Sequence, residues 1–207
     1  MGRSKSSGRW LQEHFADDYV RRAQTEGWRS RAVYKLEEID RKEKLFRKDM
    51  RVVDLGAAPG AWSQFAMERI GDAGQVLGVD VLPVDPIPGL TFIQGDINAE
   101  AVYHRMQAAL GDRGVDLVLS DMAPNMSGSK AVDQPRAIQL CEMALETARA
   151  FLVDGGDLVI KAFEGEGIEE LRRDLRSTFT KLKSMKPKAS RPRSREIYLV
   201  ARGLKCR

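Results

Sequence analysis

The sequence predicts an α/β fold: a mostly parallel sheet with helices on both faces. From Asp49 onward, short apolar runs alternate with helical stretches, which is the rhythm of βαβ units. The 207 residues, 43% hydrophobic and 31% charged, suffice for one domain with a substantial core. That balance belongs to a soluble globular chain and excludes a disordered one.

The elements follow in order. Residues 1–9 are small, polar and basic, which predicts disorder. From Trp10 to about Lys48 the pattern is helical, with Ala32, Val33, Leu36, Ile39 and Leu45 at helical spacings. Ser30 is the expected cap of the helix holding residues 31–36. Strands are expected at 52–55, 76–80, 91–93, 115–119 and 157–160, with helices near 61–70, 98–110, 135–152 and 167–177. A last run, 196–200, reads as a strand that returns to the sheet. Only the stretch 181–195 is compositionally biased, and no internal repeat is visible.

Several classes drop out. No apolar run approaches the roughly 18–20 residues of a membrane span. No apolar segment follows the basic N-terminus, as a secretory signal would require. Cys141 and Cys206 outline neither a disulfide framework nor a metal site, and His14 and His104 stand alone. The expectation is a cytoplasmic, reducing setting with no metal and no membrane.

The net charge of +4 conceals a segregation. Residues 1–50 carry 13 basic against 9 acidic side chains, residues 51–180 carry 11 against 20, and residues 181–207 carry 10 against 1. Basic ends can grip the phosphates of a nucleic acid while an acidic middle holds another ligand. A solubilising tail would look the same.

In open α/β sheets, ligands bind outside the carboxyl ends of the strands. Those ends should present the turn Gly56-Ala57-Ala58-Pro59-Gly60, then Asp80, Asp96, Asp121 and Lys161. Any one charged residue after a strand is an ordinary solvated loop start. Five strand ends in register point to a site. Gly56 and Gly60 lack a Cβ and let the backbone approach a ligand closely. Asp80 is placed to take the hydroxyls of an adenosine ribose. The full phosphate fingerprint is missing and Pro59 fills the turn, which favours a nucleoside cofactor without a pyrophosphate. Asp96 would then accept from the adenine amino group, with Trp62 packed nearby or simply in the core.

Lys161 carries the chemistry. It follows Leu158-Val159-Ile160 and precedes Ala162-Phe163, so its stem should be buried. Burial disfavours the ammonium form, which is how a lysine becomes a general base. A strand-end lysine that snorkels to water is the bland alternative. Asp121 would orient the amine but also hold its proton, so a second cation nearby would help. Lys35 is a candidate for that cation and Glu196 for a second carboxylate, although spacing alone makes them a helix-surface lysine and a strand-edge charge.

These residues lie in motifs that resemble the FtsJ-type (RlmE) family of ribosomal RNA large-subunit 2′-O-methyltransferases. The motifs are Arg29-Ser30-Arg31-Ala32-Val33-Tyr34-Lys35-Leu36 and Val53-Asp54-Leu55-Gly56-Ala57-Ala58-Pro59-Gly60-Ala61-Trp62-Ser63-Gln64. Further along come Leu119-Ser120-Asp121-Met122-Ala123-Pro124-Asn125, Val159-Ile160-Lys161-Ala162-Phe163 and Ser194-Arg195-Glu196-Ile197-Tyr198. The resemblance spans about 10–203.

It implies a Rossmann-like methyltransferase fold dependent on S-adenosyl-L-methionine, with a seven-stranded, mostly parallel sheet and one antiparallel strand. It implies a single domain over 1–207, with an RNA-binding helical region at 10–48 and a catalytic core at 49–203. It also implies a catalytic set of Lys35, Asp121, Lys161 and Glu196, and donor contacts from Gly60, Trp62, Asp80, Asp96 and Asp121. The implied substrate is a uridine in the aminoacyl-tRNA-site loop of 23S rRNA in the assembled large subunit, met by a monomer.

Two alternatives remain on sequence grounds. An RNA base methyltransferase could share the fold. Amino-directed enzymes, however, tend to place an aromatic after the proline of the fourth-strand motif, where this chain has Asn125 and Met126. Carbon-directed ones need a nucleophilic cysteine, and Cys141 lies mid-helix. A non-catalytic ribosome-assembly factor should have lost at least one of the four catalytic candidates.

Overall fold

The computed structural model describes residues 17–206. The expected disorder over 1–9, and the start of the helical pattern at 10–16, lie outside the described residues. Two helices come first, α1 (Asp18–Glu26) and α2 (Val33–Glu43). Then follow β1 (Arg51–Leu55), α3 (Ala61–Ile70), β2 (Gln75–Asp80), β3 (Leu90–Gln94), α4 (Glu100–Leu110) and β4 (Val115–Ser120). The chain continues through α5 (Lys130–Phe151), β5 (Leu152–Phe163), α6 (Ile168–Thr178), β6 (Phe179–Met185) and β7 (Glu196–Leu204). The strands form one seven-stranded sheet in the order β3-β2-β1-β4-β5-β7-β6. Pairing is parallel from β3 through β5, and β7 runs antiparallel to both β5 and β6. The predicted fold class, with its single antiparallel strand, is the one observed.

Alternation along the strands splits the core in two. One face of the sheet packs Val53, Leu55, Val118, Leu158, Ile160 and Leu199 with side chains from α4, α5 and α6. The other packs Val52, Leu117, Leu119, Val159, Tyr198 and Val200 with Leu36 and Ile39 of α2 and Trp62 and Phe65 of α3. Lys161 shares its strand face with Val159, two residues earlier, so it points towards α2 and Lys35. Among the described residues, no helix is long and apolar enough to cross a membrane.

The expected elements differ from the observed ones in four places. The helical pattern up to Lys48 is interrupted: α1 stops at Gly27, whose φ of 77° no other residue adopts easily, and α2 begins six residues later. Ser30 is not the N-cap of α2, a position held by Ala32; its hydroxyl accepts from Ala32 N at 3.2 Å and so shapes the turn just ahead. Strand β6 falls in the stretch that reads as a biased, lysine-rich segment. Its Lys181 and Lys183 are exposed, as on many sheet edges, and they hide the thin apolar pattern of Phe179, Leu182 and Met185. Finally, β5 is twelve residues long where four were expected: it meets β4 already at Leu152, and β7 pairs with its far end from Leu158 to Phe163.

Leu36 has no exposed surface and anchors the helix that carries Lys35. The variant Leu36→Ala should lower the unfolding free energy by about 2–5 kcal/mol, read by urea denaturation.

Candidate active site

The sheet's carboxyl edge opens into a cleft of about 440 Å³. It is lined by the turn after β1 (Leu55, Gly56, Ala58), by Asp80 and Asp96, by Asp121 and Met122, and by apolar Ile97, Leu140 and Met143. The turn is stitched to its neighbours. Gly56 and Ala57 donate their N–H groups to Val79 O at 2.9 and 3.2 Å, and Ala58 N donates to Asp80 Oδ2 at 2.9 Å. A Cβ on Gly56, at φ 76°, would lie 2.8 Å from Met122 Cγ, so glycine lets the turn pack on the loop after β4. Gly60 does the same on the other side, where a Cβ would lie 2.6 Å from Ile87 Cδ1. The Arg29 guanidinium fastens that side by donating to Pro59 O, Asp85 O and Pro86 O at 3.2, 2.6 and 2.8 Å.

The expected cofactor residues fall into two groups. Asp80, Asp96 and Asp121 all line the cleft. Asp80 also accepts from Leu82 N at 2.8 Å, and Asp96 lies beyond the end of β3 in an Asx turn, accepting from Asn98 N at 2.9 Å. Gly60 and Trp62 stand apart from the cleft wall. Trp62 is 3% exposed, donates its indole N–H to Ala32 O at 2.8 Å, and leans on Tyr198 with ring centroids 5.8 Å apart. It meets Gly56, Pro59 and Asp121 only at a narrow slot beside the cleft. A nucleoside fits the cleft by volume and by chemistry: hydroxyl-accepting carboxylates stand at the rim and apolar side chains form the wall.

The expected catalytic residues form two ion pairs linked through Tyr198, and Asp121 is the one of the four that also lines the cleft. Lys161 is not at a strand end; it lies within β5, opposite Tyr198 of β7, and is 7% exposed. Its Nζ stands 3.2 Å from Asp121 Oδ1 and also donates to Asp121 O. Lys35 Nζ is bidentate to Glu196, at 2.8 and 2.9 Å. Lys35 therefore answers Glu196 rather than Asp121. Ser190 Oγ donates to Glu196 Oε1 at 2.8 Å, and the Lys35 ammonium stands 5.7 Å from the Tyr198 ring centroid. Beside Glu196, a depression lined by Ser30, Arg31, Arg191 and Ser194 opens outward.

Two members of this cluster escape a reading by sequence alone. The Tyr198 hydroxyl donates to Asp121 Oδ1 at 2.7 Å from a fully buried ring. Burial, then the charges of Asp121 and Glu196, hold its phenol well above the usual range. A period of two could have revealed it, since Glu196 and Tyr198 share a strand face. Asp54, beneath the turn, is the second. It is fully buried and accepts from Ser63 Oγ at 2.6 Å, while Oδ1 has no hydrogen-bond partner among the described residues. Burial pushes its carboxyl up to about 7, the Ser63 hydrogen bond opposes this, and Asp121 and Asp80 add to it.

Residues 28–204 match a family described as FtsJ-like methyltransferase. The chain is 56% identical over 205 residues to a protein of Hydrogenovibrio crunogenus named Ribosomal RNA large subunit methyltransferase E, covering 99% of this chain and 100% of the relative. A protein of the same name from Pseudomonas aeruginosa is 55% identical, covering 99% of each. Among solved structures, a Plasmodium falciparum chain described as a ribosomal RNA methyltransferase superposes with a TM-score of 0.79 at 31% identity. That match covers 87% of this chain and all of the other. Fibrillarin from Aeropyrum pernix, solved with S-adenosyl-L-methionine bound, shares the fold at a TM-score of 0.52 and 18% identity. There the match covers 75% of this chain and 67% of that one.

Because the Asp54 carboxyl is raised in the folded state, the folded protein binds a proton that the unfolded chain releases near pH 4. Its contribution to stability is present at low pH and is lost as pH rises towards about 7. The stability of Asp54→Asn relative to the parent should therefore climb between pH 4 and 7, by up to about 1.4 kcal/mol per pH unit, and then level off. Paired urea titrations across that range measure it. A flat difference would mean that the carboxylate is ionised throughout.

Proposed function

The chain belongs to the FtsJ-like methyltransferase family, and we propose that it methylates the ribose 2′-hydroxyl of a uridine in 23S rRNA, with S-adenosyl-L-methionine as donor and Lys161 as base. The target lies in the aminoacyl-tRNA-site loop of the assembled large subunit, which the protein meets as a cytoplasmic monomer. The names of the relatives support large-subunit rRNA as the substrate class. The observation that carries the chemistry is the buried Lys161 amine beside Asp121, a residue that itself lines a cleft suited to a nucleoside.

Asp80 and Asp96 hold the hydroxyl and amino groups of the donor's adenosine, with Ile97 against the base. Gly60 and Trp62 shape the turn that borders it, and Asp121 faces both donor and base. The bound donor supplies an electrophilic methyl carbon on a sulfonium, whose carbon–sulfur bond is the one broken. Lys161, in its uncharged form, accepts the proton of the 2′-hydroxyl at Nζ as the oxygen forms its bond to carbon. Asp121 orients the amine through Oδ1 and its main-chain carbonyl. Lys35 and Glu196 form the outer wall of the ribose site. Holding the reacting atoms in line supplies much of the remaining acceleration.

The RNA strand lies along the basic flank. Arg31 and Arg191 line the depression beside Glu196, and Lys186, Lys188, Arg193 and Arg195 lie close to Arg191 in the sequence. The helical stretch over residues 17–48 forms the other wall of this cradle. Binding that rests on phosphate neutralisation weakens steeply with salt.

The deciding experiment transfers labelled methyl from the donor to undermethylated large subunits and then locates the label. Label on a ribose 2′-oxygen is expected; label on a base, or none, refutes the reading. Arginine cannot give up its proton in a protein, so Lys161→Arg should lower kcat at least about a hundredfold with subunit binding retained. Near-normal turnover would remove Lys161 as the base. The affinity for subunits should fall linearly on a log–log plot against salt. A flat line there would remove the cradle.

A further inference from the structure

The Tyr198 hydroxyl joins the two ion pairs of the site, and the reaction as derived gives it no part. It donates to Asp121 Oδ1 at 2.7 Å, the same oxygen that faces Lys161 Nζ at 3.2 Å. Its ring is fully buried between Trp62 and the Lys35 ammonium. The β5–β7 register fixes it, because Tyr198 is the residue directly across from Lys161.

We propose that Tyr198 is a positioning residue, whose hydroxyl occupies Asp121 Oδ1 and so limits how firmly that carboxylate holds the proton of Lys161. The inference rests on the reading of Lys161 as the base. A lone carboxylate beside an amine favours the ammonium, which cannot accept a proton. A hydrogen-bond donor on the same oxygen withdraws part of that negative charge without adding a full positive one. It does so in a dry setting, where such bonds are strong. The hydroxyl also keeps Asp121 turned towards Lys161. Tyrosine suits this task because it is neutral throughout the working range, whereas a cation on that oxygen would also repel the sulfonium of the donor.

The charged and titratable neighbours of Lys161 among the described residues enter the balance. Asp121 comes from the loop after β4, and Tyr198 and Glu196 from β7. Lys35 comes from α2, already matched by Glu196, and Asp54 from β1 feels the charge of Asp121 while burial favours its neutral form. The Cys141 thiol of α5 donates to Lys161 O, and burial keeps it protonated. Among these, Tyr198 is the neutral donor to Asp121.

The test is the pH dependence of single-turnover methylation on large subunits at saturating donor. The rate of the parent should rise with pH as the base loses its proton, and Lys161→Arg should abolish that rise. Should the parent show no such limb, the base reading fails and not this inference alone. In Tyr198→Phe the limb should move up by about one pH unit, so that the rate near neutrality falls about tenfold and recovers in alkali. Replacement of Tyr198 by 3-fluorotyrosine, a stronger donor of the same shape, should move the limb down, and it keeps the test alive if the phenylalanine variant folds poorly. Thermal melting checks each fold. A uniform loss of rate at all pH values, or an unmoved limb in both variants, overturns the proposal in favour of a packing role.

Discussion

The antiparallel pairing of β7 on β5 sets Lys161 across from Tyr198 and Phe163 across from Glu196, and the site is built on that register. A slip of one residue would turn Tyr198 and Glu196 to the opposite face, among the side chains of α5 and α6. Register is strongly specified here because both faces are buried, and a slip would bury Glu196 away from Lys35. Ile197, Leu199 and Ala201 pack one way, while Tyr198 and Val200 pack the other. The hydrophobic alternation that folds the sheet also delivers Lys161, Tyr198 and Glu196. Asp121 arrives on the loop after β4, and Lys35 on a helix whose Leu36 and Ile39 lock into the same core.

The polar cluster does not hold the fold together. Buried ion pairs lose most of their Coulombic gain to desolvation, and apolar replacements are often as stable or more so. Lys161 and Glu196 are 7% and 8% exposed, and this burial is tolerable because each partner has further hydrogen bonds. Ser190 serves Glu196, Tyr198 serves Asp121, and the main-chain oxygen of Asp121 serves Lys161. The arrangement is a cost carried by the surrounding core. Trp62 belongs to that supporting structure, since its indole fastens α3 to the turn that launches α2.

Much of this was legible in the residues. The βαβ rhythm predicts the sheet and its carboxyl edge, and Asp80, Asp96 and Asp121 do line one cleft. Local signals failed where long-range pairing decides. β6 is stabilised by β7 rather than by its own weak pattern, and β5 extends because β7 supplies a partner beyond β4. Lys161 reads as a strand end for the same reason. Convergence of Lys35 with Glu196, 161 residues apart, has no signature in spacing. Tyr198 stands inside a recognisable motif, yet its hydroxyl matters only because a carboxylate from another strand meets it. Asp54 reads as part of a glycine turn; its buried, half-satisfied state depends on the neighbours that close over it.

The charge segregation along the chain becomes spatial in the fold. Acidic side chains of the central segment, Asp80, Asp96 and Asp121, line the cleft, while the basic flanks meet at the depression lined by Arg31 and Arg191. On the proposed reaction the donor is a cation and the acceptor a polyanion, so each is drawn to its own half and repelled by the other. The two halves touch at Asp121 and Lys161. A fixed negative charge there would steady a sulfonium but also keep the lysine protonated, and the two demands conflict on a single carboxylate. A neutral hydroxyl on one of its oxygens eases that conflict, because it moderates the carboxylate without driving the cation away.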